Sequence, residues 1–584
     1  MESLLPSHTA LVVRTLIKTN PEERKRVLQS VDYNIFAFPA ALVTCDFLSD
    51  SGTSAMTDIQ WAAMLRGDES YGRNTGYYCL LDAFRDIFER GESRKLLYRD
   101  VLAGTIDSQF IQNNFLESHE GGFVNGGTYQ LTRPNFFILP QGRCAEALLF
   151  SNMMEVLRMS RPEKESRPVI ISNGFFDTTG ANASAAGFEL KTLSQPGLRK
   201  YFPDELIGKE NHFKGNLDID QTKRFLVGNS DNVALLLVTI TNNYAAAQPV
   251  SMENIRQAAE LAKCFGIPIF FDACRFAENA KFIKDFEQGY ADHSISRIIQ
   301  EMFSYVDGFT ISLKKDAVAN IGGVVCFRDG GRFAQVYSGF DAHIGLRMKE
   351  KQILTYGNDS YGALSGRDLM AASVGLYEGT KEAFLSSRIG QVQRMAQRLR
   401  ENGIPMLLPP GGHAIYLDMV AFFSGCHREP HDFASVGFTV KLLEDYGIRA
   451  FESGPFAWEF DKKTIAERET IPDLVRFAMP RNAMSFEHIN YTITAITRLY
   501  KDRDSIPNMC ISRGAHLRLR HFSCGLIPIY PATAASSPSG TKRSIDDQLD
   551  ACRCGSHYAR GLRDGEQCYQ QARDAASLPK IQAR

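Results

Sequence analysis

Val306-Asp307-Gly308-Phe309-Thr310-Ile311-Ser312-Leu313-Lys314-Lys315-Asp316 begins as a buried strand and ends in two adjacent lysines. Asn320-Ile321-Gly322-Gly323 and a second apolar run, Val324-Val325-Cys326-Phe327, come directly after it. A lysine held where a strand ends loses hydration, which favours the neutral amine and makes it a nucleophile toward aldehydes. Taken alone, a Lys-Lys pair usually reads as a solvated turn, because lysines are rarely buried. The surrounding sequence decides between the two.

From Phe136 to Phe327, short apolar strands alternate with amphipathic helices. Phe136-Phe137-Ile138-Leu139 leads into a helix from Gly142, and Pro168-Val169-Ile170-Ile171 stops at Ser172-Asn173-Gly174. Leu235 to Ile240 precedes a helix opened by Ser251, which returns to the strand Ile267 to Phe271. This alternation predicts an α/β fold with a mainly parallel sheet covered on both faces. Ligands of such sheets bind beyond the carboxyl ends of the strands.

Four clusters fall at that edge. Pro140-Gln141-Gly142-Arg143 opens a helix with free N–H groups, a glycine for close approach and an arginine for an anion such as phosphate. Phe271-Asp272-Ala273-Cys274-Arg275 ends a strand with an aspartate able to keep a pyridine nitrogen protonated and an arginine able to reach a ring oxygen. Asn243, in Thr241-Asn242-Asn243-Tyr244, offers an amide to that oxygen and to a carboxylate. Phe175-Phe176-Asp177 supplies a ring to stack on a cofactor face. Each has a plainer reading: a helix start, an N-cap aspartate, a turn asparagine, a core phenylalanine. With the lysine pair they furnish the anchor, stacker and electron sink that pyridoxal phosphate (PLP) requires.

At 584 residues the chain has room for two or three domains. Lys+Arg of 66 against Asp+Glu of 67 leaves a net charge of -1, which argues against a nucleic-acid or membrane-surface partner. The apolar runs are strand-length, far short of a membrane span. The start of the chain lacks the pattern of a secretory signal, and twelve cysteines lie scattered, so a cytoplasmic location is expected.

The expected domains are an N-terminal arm with part of the small domain (1–60), a large domain (61–345, with an insertion at about 92–135), a small C-terminal domain (346–524) and a disordered tail (525–584). The insertion contains Gly121 to Gly127, which reads as a flexible loop, and a second extra stretch covers Arg332 to Gln352. Cys552, Cys554, His557 and Cys568 in the tail match no standard zinc spacing.

The chain resembles the tryptophanase and tyrosine phenol-lyase family, the β-eliminating lyases of PLP fold type I. The resemblance rests on Asp50-Ser51-Gly52-Thr53, Gly67 to Tyr71, Gln141-Gly142-Arg143 with Glu146, Gln248 to Ser251, and Phe271 to Asn279. It continues through Glu301 to Tyr305, the lysine pair, Ser360-Tyr361-Gly362, Gly411 to Ala414 and Val475-Arg476-Phe477 before Pro480-Arg481. The fold it implies is a large domain with a mainly parallel seven-stranded sheet and a smaller α+β domain.

The resemblance also implies roles. Lys315 would bond the cofactor and then act as base at the substrate's Cα, beside Lys314, which helps order water near a cation. Gln141, Gly142, Arg143 and Ser312 would hold the phosphate. Phe176 would stack on the ring, Asp272 would bind its nitrogen, and Arg275 and Asn243 its phenolic oxygen. Arg476 would clamp the substrate carboxylate, which Asn243 also reaches. Tyr71 would protonate the leaving group and, with Tyr361, belong to a site completed across subunits of a dimer or tetramer. Glu69 with the carbonyls of Gly52 and Asn320 would bind a monovalent cation such as potassium.

Asp177 and His521 resemble the tryptophanase versions of their positions, whereas Ser453 fits neither enzyme. The implied reaction is β-elimination of an aromatic amino acid, L-tryptophan first, with pyruvate and ammonia released. Tyrosine and S-substituted cysteines are the alternative substrates, and an aminotransferase on the same fold is a further alternative.

Overall fold

The computed structural model describes residues 15–90, 111–163, 166–195, 211–243, 246–339, 342–469 and 471–531. After a two-residue strand, β1 (Cys45–Asp46), the chain lays down the seven strands of its main sheet. These are β2 (Phe136–Leu139), β3 (Val169–Ser172), β4 (Glu189–Thr192), β5 (Val233–Thr239), β6 (Ile269–Asp272), β7 (Gly308–Ser312) and β8 (Gly323–Phe327). Their order across the sheet is β2-β8-β7-β6-β5-β3-β4, and only β8 runs against its neighbours. The α/β class and the mainly parallel seven-stranded sheet are as expected.

Every residue of β2, β3, β5, β6, β7 and β8 is buried, which is why these strands are continuously apolar rather than alternating. One face of the sheet packs on a phenylalanine cluster, Phe84, Phe88, Phe123, Phe303 and Phe309, with neighbouring centroids such as Phe88–Phe303 at 4.5 Å. Phe123 comes from the stretch expected to be a flexible loop. It is 1% exposed, the Arg328 guanidinium lies over its ring, and Arg85 donates to the carbonyls of Val124 and Asn125. The glycines that suggest mobility flank two anchored apolar residues. The second extra stretch is helical, over Arg332–Tyr337 and Ile344–Thr355, and Gln352 donates to the Ile138 carbonyl at 2.7 Å.

The second unit is built on β9 (Ala414–Asp418), β10 (Ile448–Arg449), β11 (Phe451–Glu452) and β12 (Leu474–Ala478). β11, β12 and β9 form an antiparallel sheet, while β10 pairs with β1, so the N-terminal segment is stitched to this unit. Arg24, on the helix Pro21–Ser30, donates to the carbonyl of Glu444 at 2.9 Å. A hairpin, β13 (Asn508–Arg513) with β14 (Gly525–Ile529), closes the described chain. Residues 525–529 are therefore a strand, not tail; Leu526 N–H bonds the Asp32 carbonyl and gives this short run the long-range partner that composition does not reveal. Residues 532–584 of the expected tail, with their Cys/His cluster, and residues 92–110 of the insertion lie outside the described residues.

Candidate active site

Strand ends position the site. β7 delivers Ser312, and the chain then turns through Leu313, whose N–H bonds the Gly322 carbonyl at 3.0 Å, before returning as β8. That turn presents both lysines. Lys315 is 9% exposed, with its amine 5.9 Å from the centroid of Phe176. Lys314 donates to Gln141 Oε1 at 3.1 Å, and burial, with Lys315 and Arg143 alongside, brings its amine down to about 8.

β2 runs into the helix Gly142–Ser160, whose first turn has no side-chain cap from Gln141. Its leading N–H groups and Arg143 therefore face the pocket as an anion site. A side chain at residue 142 would put its Cβ 2.8 Å from Ser312 Cβ, so only glycine lets the helix start lie this close to β7. Ser312 Oγ is buried with no hydrogen-bond partner among the described residues.

At the end of β6, Asp272 is 4% exposed and its Oδ1 also lacks a described partner. An unpartnered buried carboxylate oxygen is costly unless something absent from the chain meets it. The protonated ring nitrogen of PLP meets that need, as its phosphate meets Ser312 and the uncapped helix start. The residues present thus fit the cofactor. Beside Asp272, Glu146 is pushed up to about 7 by burial and by the Asp272 charge, while accepting hydrogen bonds from Thr179 at 2.7 Å and Asn182 at 3.0 Å.

Arg275 forks onto Asp50 at 2.9 and 2.7 Å, and Asp50 also accepts from Arg481 at 3.1 Å. Arg275 and Arg481 hold the Asp50 carboxyl well below its ordinary value despite its burial. Asn243 Oδ1 takes a 2.6 Å hydrogen bond from His413 Nε2 and one of 3.2 Å from the Tyr416 hydroxyl. Burial keeps His413 neutral, so its proton sits on Nε2, and Asn243 is left with its amide nitrogen to offer the pocket.

The far end of the pocket is aromatic. Phe36, Phe451 and Phe522 surround His521 at centroid distances of 5.6, 5.5 and 4.3 Å. His521 is 3% exposed, and burial with Arg476 and Arg520 nearby lowers it to about 4, so the ring is neutral. Its Nε2 lies 3.8 Å from Asp177 Oδ2, and neither ring nitrogen has a hydrogen-bond partner among the described residues. Burial raises Asp177 above the usual aspartate value. Arg476, on β12, stacks 4.7 Å over Phe451 and donates to the Leu48 carbonyl at 3.0 Å. Ser453 and Trp458 complete this wall.

Fourteen of the expected residues line one pocket: Gln141, Gly142, Arg143, Phe176, Asp177, Asn243, Asp272, Arg275, Ser312, Lys314, Lys315, Ser453, Arg476 and His521. Tyr71 and Tyr361 do not. They stack on each other at 4.1 Å, 77% and 47% exposed, beside a second, open pocket. Glu69 lies there too, accepting the Gly366 N–H at 3.2 Å, whereas Gly52 and Asn320 meet each other elsewhere, Asn320 Nδ2 donating to the Gly52 carbonyl at 3.0 Å. A single chain does not bring the expected cation ligands together: Glu69 sits on an exposed segment with its own partners, and the Gly52 carbonyl is met by a side chain. Among the described residues no group of three or more His, Cys, Asp or Glu could hold a metal ion.

The sequence reading assigned no site role to Asp50, Glu146, Phe36, Phe451, Trp458 or Phe522. Glu146 carried a signal, since it lies three positions after Arg143 and shares its helix face. The others reach the pocket from segments hundreds of residues apart, which no local pattern reports.

The family profile described as Beta-eliminating lyase matches residues 46–495. A tryptophanase of Salinibacter ruber is 32% identical over 543 residues, spanning 92% of this chain and 99% of that protein. A probable beta-eliminating lyase of Trichomonas vaginalis is 33% identical, over 88% of this chain and 96% of its own. A tyrosine phenol-lyase of Fusobacterium nucleatum is 31% identical, over 85% and 92%. Among the described residues no helix is long and apolar enough to cross a membrane.

Proposed function

This chain belongs to the β-eliminating lyase family, and we propose that within it the enzyme cleaves L-tryptophan to indole, pyruvate and ammonia. PLP, when bound, supplies an electron sink for the charge left at the substrate's Cα. Gln141, Gly142, Arg143 and Ser312 hold its phosphate, Phe176 packs on the ring, and Asp272 keeps the ring nitrogen protonated. Arg275, fixed by Asp50, and the Asn243 amide donate to the ring oxygen. Arg476 binds the substrate carboxylate, and Lys315, whose amine lies 5.9 Å from the Phe176 ring centroid, takes the Cα proton.

The observation that carries the choice of substrate is the aromatic box around a neutral His521 next to Asp177. A flat bicyclic ring packs against the wall that Phe36, Phe451 and Phe522 present to the pocket, and an indole N–H finds an acceptor in either His521 or Asp177. At position 453 the pocket carries a serine, which has no positive charge to stabilise a phenolate leaving group, and this favours tryptophan over tyrosine. The same absence suits S-substituted cysteines, whose thiolates leave without electrostatic help, and they form the second reading.

Tyr71 and Tyr361, exposed together beside a second pocket, would complete this one from a neighbouring copy in a dimer or tetramer. Tyr71 is then the acid at the leaving group. Glu69 would meet Gly52 and Asn320 of that neighbour around potassium, near Lys314. Pyruvate and ammonia release from tryptophan, tyrosine and S-benzylcysteine, with potassium and with sodium, tests all of these. No pyruvate from tryptophan removes the leading reading, and keto acid without free ammonia signals an aminotransferase.

A further inference from the structure

Tyr71 and Tyr361 stand on two loops, residues 67–74 and 357–362, and their rings stack at 4.1 Å. The Ser360 hydroxyl ties the loops to each other, accepting the Asn74 N–H at 3.1 Å and donating to the Gly72 carbonyl at 2.8 Å. Those bonds make the two tyrosines one unit without fixing where the unit points. Its direction is set one residue earlier.

Asp359 is 6% exposed and takes a left-handed backbone, φ +41°, which a non-glycine residue keeps only where its surroundings hold it. Its two carboxylate oxygens go to different bases. Oδ2 accepts from Arg73 Nε at 2.9 Å, on the loop that carries Tyr71. Oδ1 accepts from Lys349 Nζ, on the helix Ile344–Thr355. Lys349 also donates to Gln352 Oε1 at 3.2 Å, and Gln352 Nε2 donates to the Ile138 carbonyl. A continuous chain of hydrogen bonds therefore runs from the Tyr71 loop through Asp359 to β2.

The Arg73 guanidinium has a second acceptor in Gln130 Oε1, and Gln130 Nε2 donates to the Asn125 carbonyl at 3.0 Å. Lys349 and Gln130 lie in the two stretches that the sequence marks as additions, Arg332 to Gln352 and about 92–135. Both additions thus converge on one buried ion pair, Arg73 with Asp359, between the two tyrosine loops.

We propose that Asp359 is a positioning residue for Tyr71, and that the two added segments brace it so that the tyrosine pair is aimed at the leaving group. The inference rests on the reading that Tyr71 is the acid in a neighbouring copy's pocket. There Tyr71 gives its phenolic proton to the ring carbon that carries Cβ. The bond from that carbon to Cβ then breaks with its electron pair passing to the departing ring, and the electrons held at Cα close onto Cβ. Solvent returns a proton to Tyr71. Such a transfer tolerates little misplacement, since a shift of about 1 Å costs about 100-fold.

The test uses the holoenzyme with two aromatic substrates. L-Tryptophan needs the proton, whereas S-(o-nitrophenyl)-L-cysteine does not, because its thiolate leaves unaided. Asp359→Asn keeps the shape of the side chain and removes its charge. It should lower kcat/KM for tryptophan about 30-fold, through kcat, and leave the nitrophenyl substrate within about threefold of native. The absorbance of bound PLP should not change. Asp359→Glu, which keeps the charge, should bring tryptophan turnover back to within about fivefold of native. Tyr71→Phe examines the underlying reading and should cost tryptophan far more than the nitrophenyl substrate. If Asp359→Asn does not fold, Arg73→Gln, which leaves Lys349 to neutralise Asp359, decides in its place with the same split expected.

Equal losses for both substrates, or no loss for either, overturn the proposal, as does an Asp359→Glu enzyme no better than Asp359→Asn. A Tyr71→Phe enzyme without the split removes the acid reading, and the proposal with it. If the native protein ignores tryptophan, the substrate reading fails by itself, and L-tyrosine, whose ring carbon also needs a proton, takes its place.

Discussion

The two ends of the pocket are built on different plans. At the cofactor end, Gln141 to Arg143, Asp272, Arg275, Ser312 and Lys315 all leave neighbouring strands of one sheet at the same edge. At the side-chain end, Phe36, Asp177, Phe451 to Trp458 and Phe522 arrive from four separate segments, three of them in or against the second unit. The first end is fixed by backbone pairing and buried ion pairs, so its geometry is set once the sheet forms. The second depends on how that unit docks. Chemistry is the rigid property of this molecule, and selectivity is the adjustable one.

The sharpest way to break that division is at its centre. Lys315→Ala should abolish pyruvate release from every substrate, a loss of at least about 10⁴-fold if Lys315 is both anchor and base. The long-wavelength absorbance of bound PLP should vanish with it. A variant that still turns over one substrate class would mean that the two ends are not divided as described.

Next in size is the joint between the ends. Asp50→Asn removes the carboxylate shared by Arg275 and Arg481, both 5% exposed or less. Breaking a buried pair from one side costs about 3–5 kcal/mol, so a marked drop in the urea midpoint is expected together with weaker PLP retention. Unchanged stability would show that the two units dock without this bridge.

His521→Phe keeps the aromatic box and deletes its one acceptor nitrogen. It should raise KM for tryptophan roughly tenfold, the worth of one neutral hydrogen bond, and leave S-methylcysteine untouched. Equal effects on both substrates would move His521 from the selective end to the common one.

The smallest effect is on stability against pH. Glu146 at about 7 and Glu452 at about 8 both stand above the ordinary glutamate value of 4.5. A raised carboxyl favours the folded state fully below 4.5, and the benefit is lost as pH rises through the folded value. The Tm should therefore decline between pH 6 and 9, and Glu146→Gln should flatten the lower half of that decline by about 2–4 °C. A Tm independent of pH over this range would place both protons elsewhere.

Legibility in the sequence divides along the same line. The strands from Phe136 to Phe327 announce themselves as continuous apolar runs, and a polar residue at the end of such a run falls at the sheet edge by necessity. Lys315, Asp272 and Arg143 were legible for that reason. Asp50 was not, because its worth lies in meeting Arg275 and Arg481, which are remote in sequence. Phe123 was hidden by the glycines around it, and β14 by the Ser- and Ala-rich composition of residues 532–584. Tyr71 and Glu69 are a different case: the residue types are where the resemblance puts them, but in one chain they line a second, open pocket and not the one that holds Lys315.

The hairpin that brings Gly525–Ile529 against Asp32 also sets the order in which the enzyme can mature. Asn34 donates to the carbonyls of His521 and Cys524, so Phe36 and Phe522 face each other only after both termini of the described chain have met. During synthesis on the ribosome, the parallel sheet with its lysine can fold as soon as β8 emerges. The aromatic wall must wait for Phe522, so the nascent chain completes its lysine-bearing sheet well before it acquires its discrimination.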